Sequence, residues 1–390
     1  MARFAFVTWD GGGNVPPAVG IAEELQLRGH DVGFIGYEVQ RDRLRAAGFG
    51  FTVLRRCGDF TIPRGGEPAE RLAGVMRHVW ASPDHLDDIR DAASEGGVDV
   101  LVVDFSMQGA LAAGATLAAP MAVLAHSAIA GLVPPPESPM GAWRLTAANQ
   151  LRTSAGLPAM ERLNDGWAGH LTIVTTIAAL DPAHAEAAAS MRYVGPIFER
   201  VPSHGWTSPW DPDDDRPLVL VSFSTSKFWD QGGRIRNTVA ALAGEPVRVL
   251  VSGAEPADLA ASPANVIVRG FVPHGLVLPS TAVTVTHAGH GTVAASLAHG
   301  VPVLALPNPA ADQPFLAGRL QQLGAGLALD GESDPDTIRT SVQELLERPS
   351  YRQAARELAD SIRDSPGARG AAMELETLAR TAASPASARS

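Results

Sequence analysis

The sequence predicts an α/β protein made of two parallel-sheet halves joined by a short linker. Three observations carry this reading. The chain has 390 residues, more than one hydrophobic core usually serves. Apolar runs alternate with helix-patterned stretches in both halves, the order that builds βαβ units around a parallel sheet. Residues 199–217 break the alternation with four prolines and the acidic run Asp213-Asp214-Asp215, a linker composition.

The elements follow in order. Strand candidates in the first half are residues 4–9, 32–36, 51–54, 98–105, 121–125 and 171–177, with helical patterning over 18–28 between the first two. Tyr193-Val194-Gly195-Pro196 closes a further strand. The second half repeats the pattern at 218–223, 247–251, 266–268, 283–285 and 301–306. Residues 351–380 are helical in pattern, and the Ala/Ser/Pro-rich tail 381–390 is expected to be disordered. The expected division is a first domain over 1–198, the linker 199–217, a second domain over 218–365, a helix over 366–380 and the tail.

Composition narrows the function classes. Hydrophobic residues make up 45% and charged residues 19%, ordinary for a globular protein. A net charge of -11 argues against a general nucleic-acid binder, which needs a basic face. It also gives no attraction to anionic membranes. One cysteine, Cys57, excludes an intrachain disulfide and fits a reducing, cytoplasmic setting. The first apolar run is too brief for a signal peptide, and no run of about 18 apolar residues suggests a membrane span.

The first strand ends in Asp10-Gly11-Gly12-Gly13-Asn14-Val15-Pro16-Pro17. A dinucleotide fingerprint would need a third glycine where Pro16 stands, so NAD binding is not expected. The segment after residue 282 is more informative. A buried strand runs into His287-Ala288-Gly289-His290-Gly291-Thr292, and an Ala-rich helical stretch follows over about 293–299. Strand, glycine-bearing turn and helix start together make an anion site. The first helical N–H groups lack internal partners, the macrodipole is positive there, and glycine lets a phosphate approach. A second buried strand and a loop with Asp312-Gln313 come next. That polar pair suits hydroxyl groups. His287 also admits a plainer role as a capping or core histidine.

These residues resemble the donor signature of the UDP-glycosyltransferase superfamily, inverting transferases of the GT-B fold. The family pattern is roughly H-x-G-x-x-[ST]-x-x-E, then G-[VT]-P, then DQ, then G-x-G. The chain supplies His287, Gly289, Thr292, Gly300-Val301-Pro302, Asp312-Gln313 and Gly324-Ala325-Gly326. The resemblance implies two facing Rossmann-like domains with a cleft between them and C-terminal helices crossing back. It implies that His287 and the N–H groups near Gly291 and Thr292 hold a donor diphosphate, and that Asp312 and Gln313 bind sugar hydroxyls. Ser224 and Thr225 stand where the family has a phosphate-touching Ser-Gly-Thr-like turn; a helix N-cap is the alternative. Phe271 would stack on the nucleobase and the Val272 backbone would read its edge, unless Phe271 belongs to the core. Ala295 replaces a glutamate that accepts from ribose hydroxyls in many UDP-sugar enzymes, which favours a dTDP-sugar. No cofactor or metal is expected beyond the nucleotide-sugar; the Asp-x-Asp sequences lie in the linker.

The catalytic side departs from the family. Its G-H-[VIL]-x-P loop carries a general-base histidine, oriented by a carboxylate. Alignment on Val15 and Pro17 places Asn14 at that position, and an amide is not a base. Asp104, at the end of strand 98–103 and matching the family carboxylate, and Asp10, on the loop, are the candidate bases; an already ionised acceptor would need neither. Both also suit capping roles. His126 is a further strand-end candidate. Trp143 and Met140 suggest a hydrophobic small-molecule acceptor contacting residues 57–85 and 129–151. The expectation is a bacterial glycosyltransferase like those that decorate antibiotics, with a homodimer left open. The rivals are a non-catalytic partner protein of the same fold and a nucleotide-sugar epimerase.

Overall fold

The computed structural model describes residues 1–62, 67–198, 206–223, 229–254, 263–309 and 312–383. The chain divides into two compact units. Unit 1 is Met1–Glu199 with Pro366–Ser390, and unit 2 is Arg200–Ser365.

Unit 1 holds a seven-stranded sheet. Its strands are β1 (Arg3–Val7), β2 (Asp31–Gly36), β3 (Gly50–Val53), β4 (Val100–Asp104), β5 (Met121–Ala125), β6 (Leu171–Val174) and β7 (Met191–Tyr193), in spatial order β3-β2-β1-β4-β5-β6-β7. All pairings are parallel, with Phe6 beside Phe34 and Val102 in adjacent strands. Parallel strands are covered on both faces and therefore read as continuous apolar runs. β4 and β5 are buried at every position.

The first helix, Val15–Leu27, starts ahead of the predicted residue 18. Its Pro16 and Pro17, which read as loop, sit in the first turn, where the missing N–H is no loss. The sequence-predicted strand 4–9 is shorter in the structure, because Thr8 and Trp9 have already left the sheet.

Unit 2 holds a six-stranded parallel sheet of β8 (Leu218–Ser222), β9 (Arg248–Ser252), β10 (Val266–Arg269), β11 (Thr281–Thr286), β12 (Val303–Ala305) and β13 (Gly326–Ala328), in order β10-β9-β8-β11-β12-β13. β13 was not predicted: its Gly-Leu-Ala sequence lacks β-branched residues, and pairing with β12 alone fixes it. The segment expected to be a linker is not loose after residue 205. Trp206 and Trp210 pack on a cluster containing Leu218, Leu220 and Leu250, and Arg216 pairs with Asp214 at 2.7 Å.

The chain returns to unit 1 through the helix Gly367–Ala383. Residues 381–383, expected in a disordered tail, are its last turn; 384–390 lie outside the described residues. Ala371, Ala372 and Leu375 are fully buried in the unit 1 core with Phe4, Ile21 and Leu25. Glu376 pins the helix from its side. It accepts from Arg28 Nε and Nη2, each at 2.8 Å, and stands 2.9 Å from His30 Nε2. The Arg28 hydrogen bonds hold its carboxyl down to about 2, against an opposing effect of burial.

A group held below its unfolded value stabilises above that value and loses its contribution as pH falls through the folded one. Glu376→Gln is therefore expected to lower thermal stability at neutral pH, with the deficit shrinking below about pH 4. Hydrogen exchange in the last helix is expected to rise. Unchanged exchange at neutral pH would show that the apolar face alone holds the helix. Among the described residues no helix is long and apolar enough to cross a membrane.

Candidate functional site

Unit 1 sets the carboxyl ends of β1, β4 and β5 side by side. Strand order reverses between β1 and β4, the place where open α/β sheets form a ligand crevice. Asn14, at the head of the first helix, is 2% exposed. Its amide nitrogen donates to Asp104 Oδ2 at 3.0 Å and to the Trp9 carbonyl at 2.9 Å, and its Oδ1 accepts from the Gly11 N–H at 3.1 Å. Asn14 thus folds the glycine loop down onto the carboxylate at the end of β4.

Asp104 is itself 2% exposed. Its Oδ1 accepts from the Ser106 N–H at 2.9 Å and from the Ser106 hydroxyl. Ser106 Oγ in turn accepts from Trp9 Nε1 at 3.0 Å. His126 follows β5 and places Nδ1 3.4 Å from Asp104 Oδ2, while the ring packs on Phe105 with centroids 5.1 Å apart. Burial raises the Asp104 pKa, but the neighbouring His126 and the Ser106 hydrogen bonds outweigh it, and the carboxyl lies below its usual range. These contacts suit Asp104 to holding its neighbours better than to meeting an acceptor directly. Both oxygens are engaged and no edge is open to an acceptor. Asp10 is exposed on the loop.

Beyond β5 a cavity of about 360 Å³ opens among Ile129, Val133, Pro134, Pro135, Leu145 and Leu163. Asp181 anchors one wall: fully buried, it accepts from the N–H groups of Ile129 and Ala130 and from the Tyr193 hydroxyl. The helix Pro139–Ser154 supplies Gly141 and Leu145 to the lining. Met140 and Trp143 lie on the same helix but outside that lining. They are 38% and 43% exposed, so neither is core. Arg144 from this helix is buried and stacks 3.6 Å from the Trp80 ring centroid. Cys57 and His85, at the ends of the stretch also expected to meet an acceptor, are both buried.

In unit 2, β11 delivers His287 to the turn before the helix His290–Ala298. Ala288 takes φ 63°, a left-handed conformation that costs a non-glycine residue on the order of 1 kcal/mol. That turn lays the imidazole over Gly289. Burial first, and the nearby Arg234 guanidinium second, push the His287 pKa down to about 4, so the ring is neutral at physiological pH. Its Nδ1 lies 3.3 Å from Thr286 Oγ1. Gly289 is the N-cap, with no side-chain cap; Gly291 is exposed and Thr292 half-buried on the first turn.

The loop after β12 is tied by Gln313, whose Oε1 accepts from the Asn308 N–H at 3.0 Å and from its amide at 2.9 Å. That oxygen is thus committed, and Asp312 is the N-cap of the helix Gln313–Gln322. Phe271 is 68% exposed, which rules out the core reading. The Val272 N–H is already bonded to Ser252 Oγ at 3.0 Å, so only its carbonyl is open to read a base edge. Ser224 and Thr225 lie outside the described residues. Sequence reasoning missed Arg234, Trp9 and Ser106. Only the Asp104-x-Ser106 spacing carried a signal, that of a carboxylate capped by its own loop.

Comparison with known proteins bears on the fold and the class of the chain. Residues 234–378 match the family described as erythromycin biosynthesis protein CIII-like, C-terminal domain. The 4'-demethylrebeccamycin synthase of Lentzea aerocolonigenes is 29% identical, over 92% of this chain and 95% of its own. The TDP-daunosamine transferase of Streptomyces peucetius is 35% identical, over 51% of this chain and 48% of its own. The solved structure of the kitacinnamycin glycotransferase superposes with a TM-score of 0.78 at 21% identity, covering 97% of this chain and 98% of that one. The two Rossmann-like sheets are those of the GT-B fold, and the domain match over 234–378 together with these relatives makes the chain a glycosyltransferase similar to those of antibiotic biosynthesis.

Proposed function

We propose that this glycosyltransferase moves a sugar from a dTDP-sugar, with inversion, to a hydrophobic natural-product acceptor. The observation that carries the donor half is the neutral His287 laid over the uncapped start of the helix His290–Ala298. With Nδ1 accepting from the Thr286 hydroxyl, Nε2 carries the proton and donates to a phosphate oxygen, and the N–H groups near Gly291 and Thr292 supply the rest. The same donors stabilise the charge that gathers on the departing diphosphate. The exposed Phe271 ring is a stacking platform for the base, and Asp312 and Gln313 are the side chains assigned to the sugar hydroxyls. The acceptor half rests on the cavity beside Ile129 and Leu145, mostly apolar but with Glu137, Arg162 and Asn164 also in its lining, and on the exposed Trp143 and Met140.

The dTDP preference rests on Ala295, whose methyl group, half-buried and packed on the cluster that holds Val272, cannot accept from a ribose 2′-hydroxyl. The name of the Streptomyces peucetius relative supports a TDP-sugar. Calorimetric titration is expected to give tighter binding of dTDP than of UDP, by roughly three- to tenfold, and Ala295→Glu is expected to narrow the gap. Tighter UDP binding would overturn the preference. Binding of neither nucleotide would leave the second reading, a non-catalytic partner of the same fold, which Asn14 at the usual histidine position favours.

A further inference from the structure

We propose that His126 is the general base of this enzyme and that Asp104 is its positioning residue, a relocation of the base from the first loop to the end of β5. The inference rests on the transfer reading above and deepens it on the acceptor side.

The argument starts from what Asn14 does. Its amide occupies the space beside the β4 carboxylate and fills Asp104 Oδ2 from the loop side at 3.0 Å. A base cannot stand there. The remaining approach to the same oxygen is from β5, the next strand in the sheet, and His126 Nδ1 takes it at 3.4 Å. Such distances commonly tighten when reactants bind. Nδ1 is buried and has no hydrogen-bond partner of good geometry, so the approaching carboxylate oxygen is the group that can fix the tautomer. Proton on Nδ1, facing Asp104, leaves the lone pair on Nε2.

The imidazole is 18% exposed, against 2% for the carboxylate. Part of the His126 ring is thus open to an acceptor, with its buried Nδ1 turned inward, while Asp104 is closed off. Ser106 and Asn14 hold the carboxylate from the two other directions, so its position is fixed independently of the histidine. Among the described residues, Asp104 is the charged group paired with His126; the exposed Asp10 belongs to the neighbouring loop.

The step balances as follows. The acceptor O–H proton passes to His126 Nε2 while the oxygen lone pair forms the bond to the anomeric carbon. The bond from that carbon to the diphosphate oxygen breaks, and the nucleoside diphosphate leaves with the electron pair. The imidazolium then returns its proton to solvent, with Asp104 stabilising the cation meanwhile.

The test pairs imidazole nitrogen NMR of the full chain, assigned with His126→Gln, with pH–rate profiles of wild type, His126→Gln and Asp10→Asn. The substrates are dTDP-glucose and a series of phenols of graded acidity. The neutral His126 is expected to carry its proton on Nδ1. His126→Gln is expected to lower kcat/KM by about 10²–10⁴-fold on the least acidic phenols and far less on the most acidic. It should also lose the acid limb of the profile while dTDP affinity stays unchanged. A proton on Nε2, an intact acid limb in His126→Gln, or its loss in Asp10→Asn instead would overturn the assignment. If wild type binds dTDP but converts no phenol, the acceptor reading is what fails, and the tautomer decides His126 by itself.

Discussion

Gly289→Ala is expected to weaken nucleotide diphosphate binding by about 10- to 100-fold, or roughly 1.4–2.8 kcal/mol, while the fold survives. The backbone at this N-cap has φ -63° and ψ 136°, which alanine accepts freely. Its Cβ, however, would lie 2.5 Å from Nε2 of His287 and 3.0 Å from Cε1. The imidazole is 7% exposed and lies beside the Thr286 hydroxyl, so it moves only by leaving its packed position. The nitrogen displaced is the one proposed above to donate to phosphate.

His287→Ala should match or exceed this loss. Gly291→Ala separates the possible causes. No atom of the protein lies within 4 Å of a Cβ placed there, so the free protein is undisturbed and any loss of affinity reports a ligand against the helix start. Calorimetry on the three variants with dTDP checks the set. Gly289→Ala binding within twofold of wild type would remove His287 from the diphosphate site.

Asn14→Ala is expected to destabilise the protein by about 1–3 kcal/mol at neutral pH. The amide is almost wholly buried and satisfies Gly11, Trp9 and Asp104 together. Removing it leaves one face of a buried carboxylate without its amide donor, and leaves the Gly11 N–H with only the Trp9 carbonyl, at 3.0 Å. The pH dependence follows from Asp104, whose carboxyl lies below the model-peptide value of 3.8. A depressed carboxyl contributes stability above its unfolded value and loses it as pH falls through the folded one. With a donor removed, the folded value rises, so the deficit is greatest at neutral pH and narrows below about pH 4. Urea midpoints at pH 7 and near pH 3.5 measure this. A deficit equal at both would mean that Asn14 acts through the glycine loop and not through Asp104.

The parallel sheets were legible because buried strands announce themselves as apolar runs, and β5 was read with its observed ends, Met121 and Ala125. β13 was illegible because Gly326-Leu327-Ala328 has no strand propensity of its own and exists through its pairing with β12. The strand–turn–helix proposed to hold the donor was legible because its determinants are local: His287, Gly289 and the helix start are neighbours in sequence. The acceptor-side cluster was not. Asn14, Asp104 and His126 are distant in sequence and meet through the β1-β4-β5 order, which no single segment encodes. Arg234 was missed for the same reason, since its influence on His287 depends on two elements brought together by the sheet.

The helix Gly367–Ala383 has one more consequence, for synthesis. It completes the core of unit 1, yet the chain reaches it only after the whole of unit 2. As the chain emerges from the ribosome, the first sheet must wait with Phe4, Ile21 and Leu25 partly uncovered until residues past 375 are free. Unit 2, encoded without interruption, can close first. The order of maturation is then the reverse of the order of translation, and the unit made first is the one that stays exposed to chaperones longest.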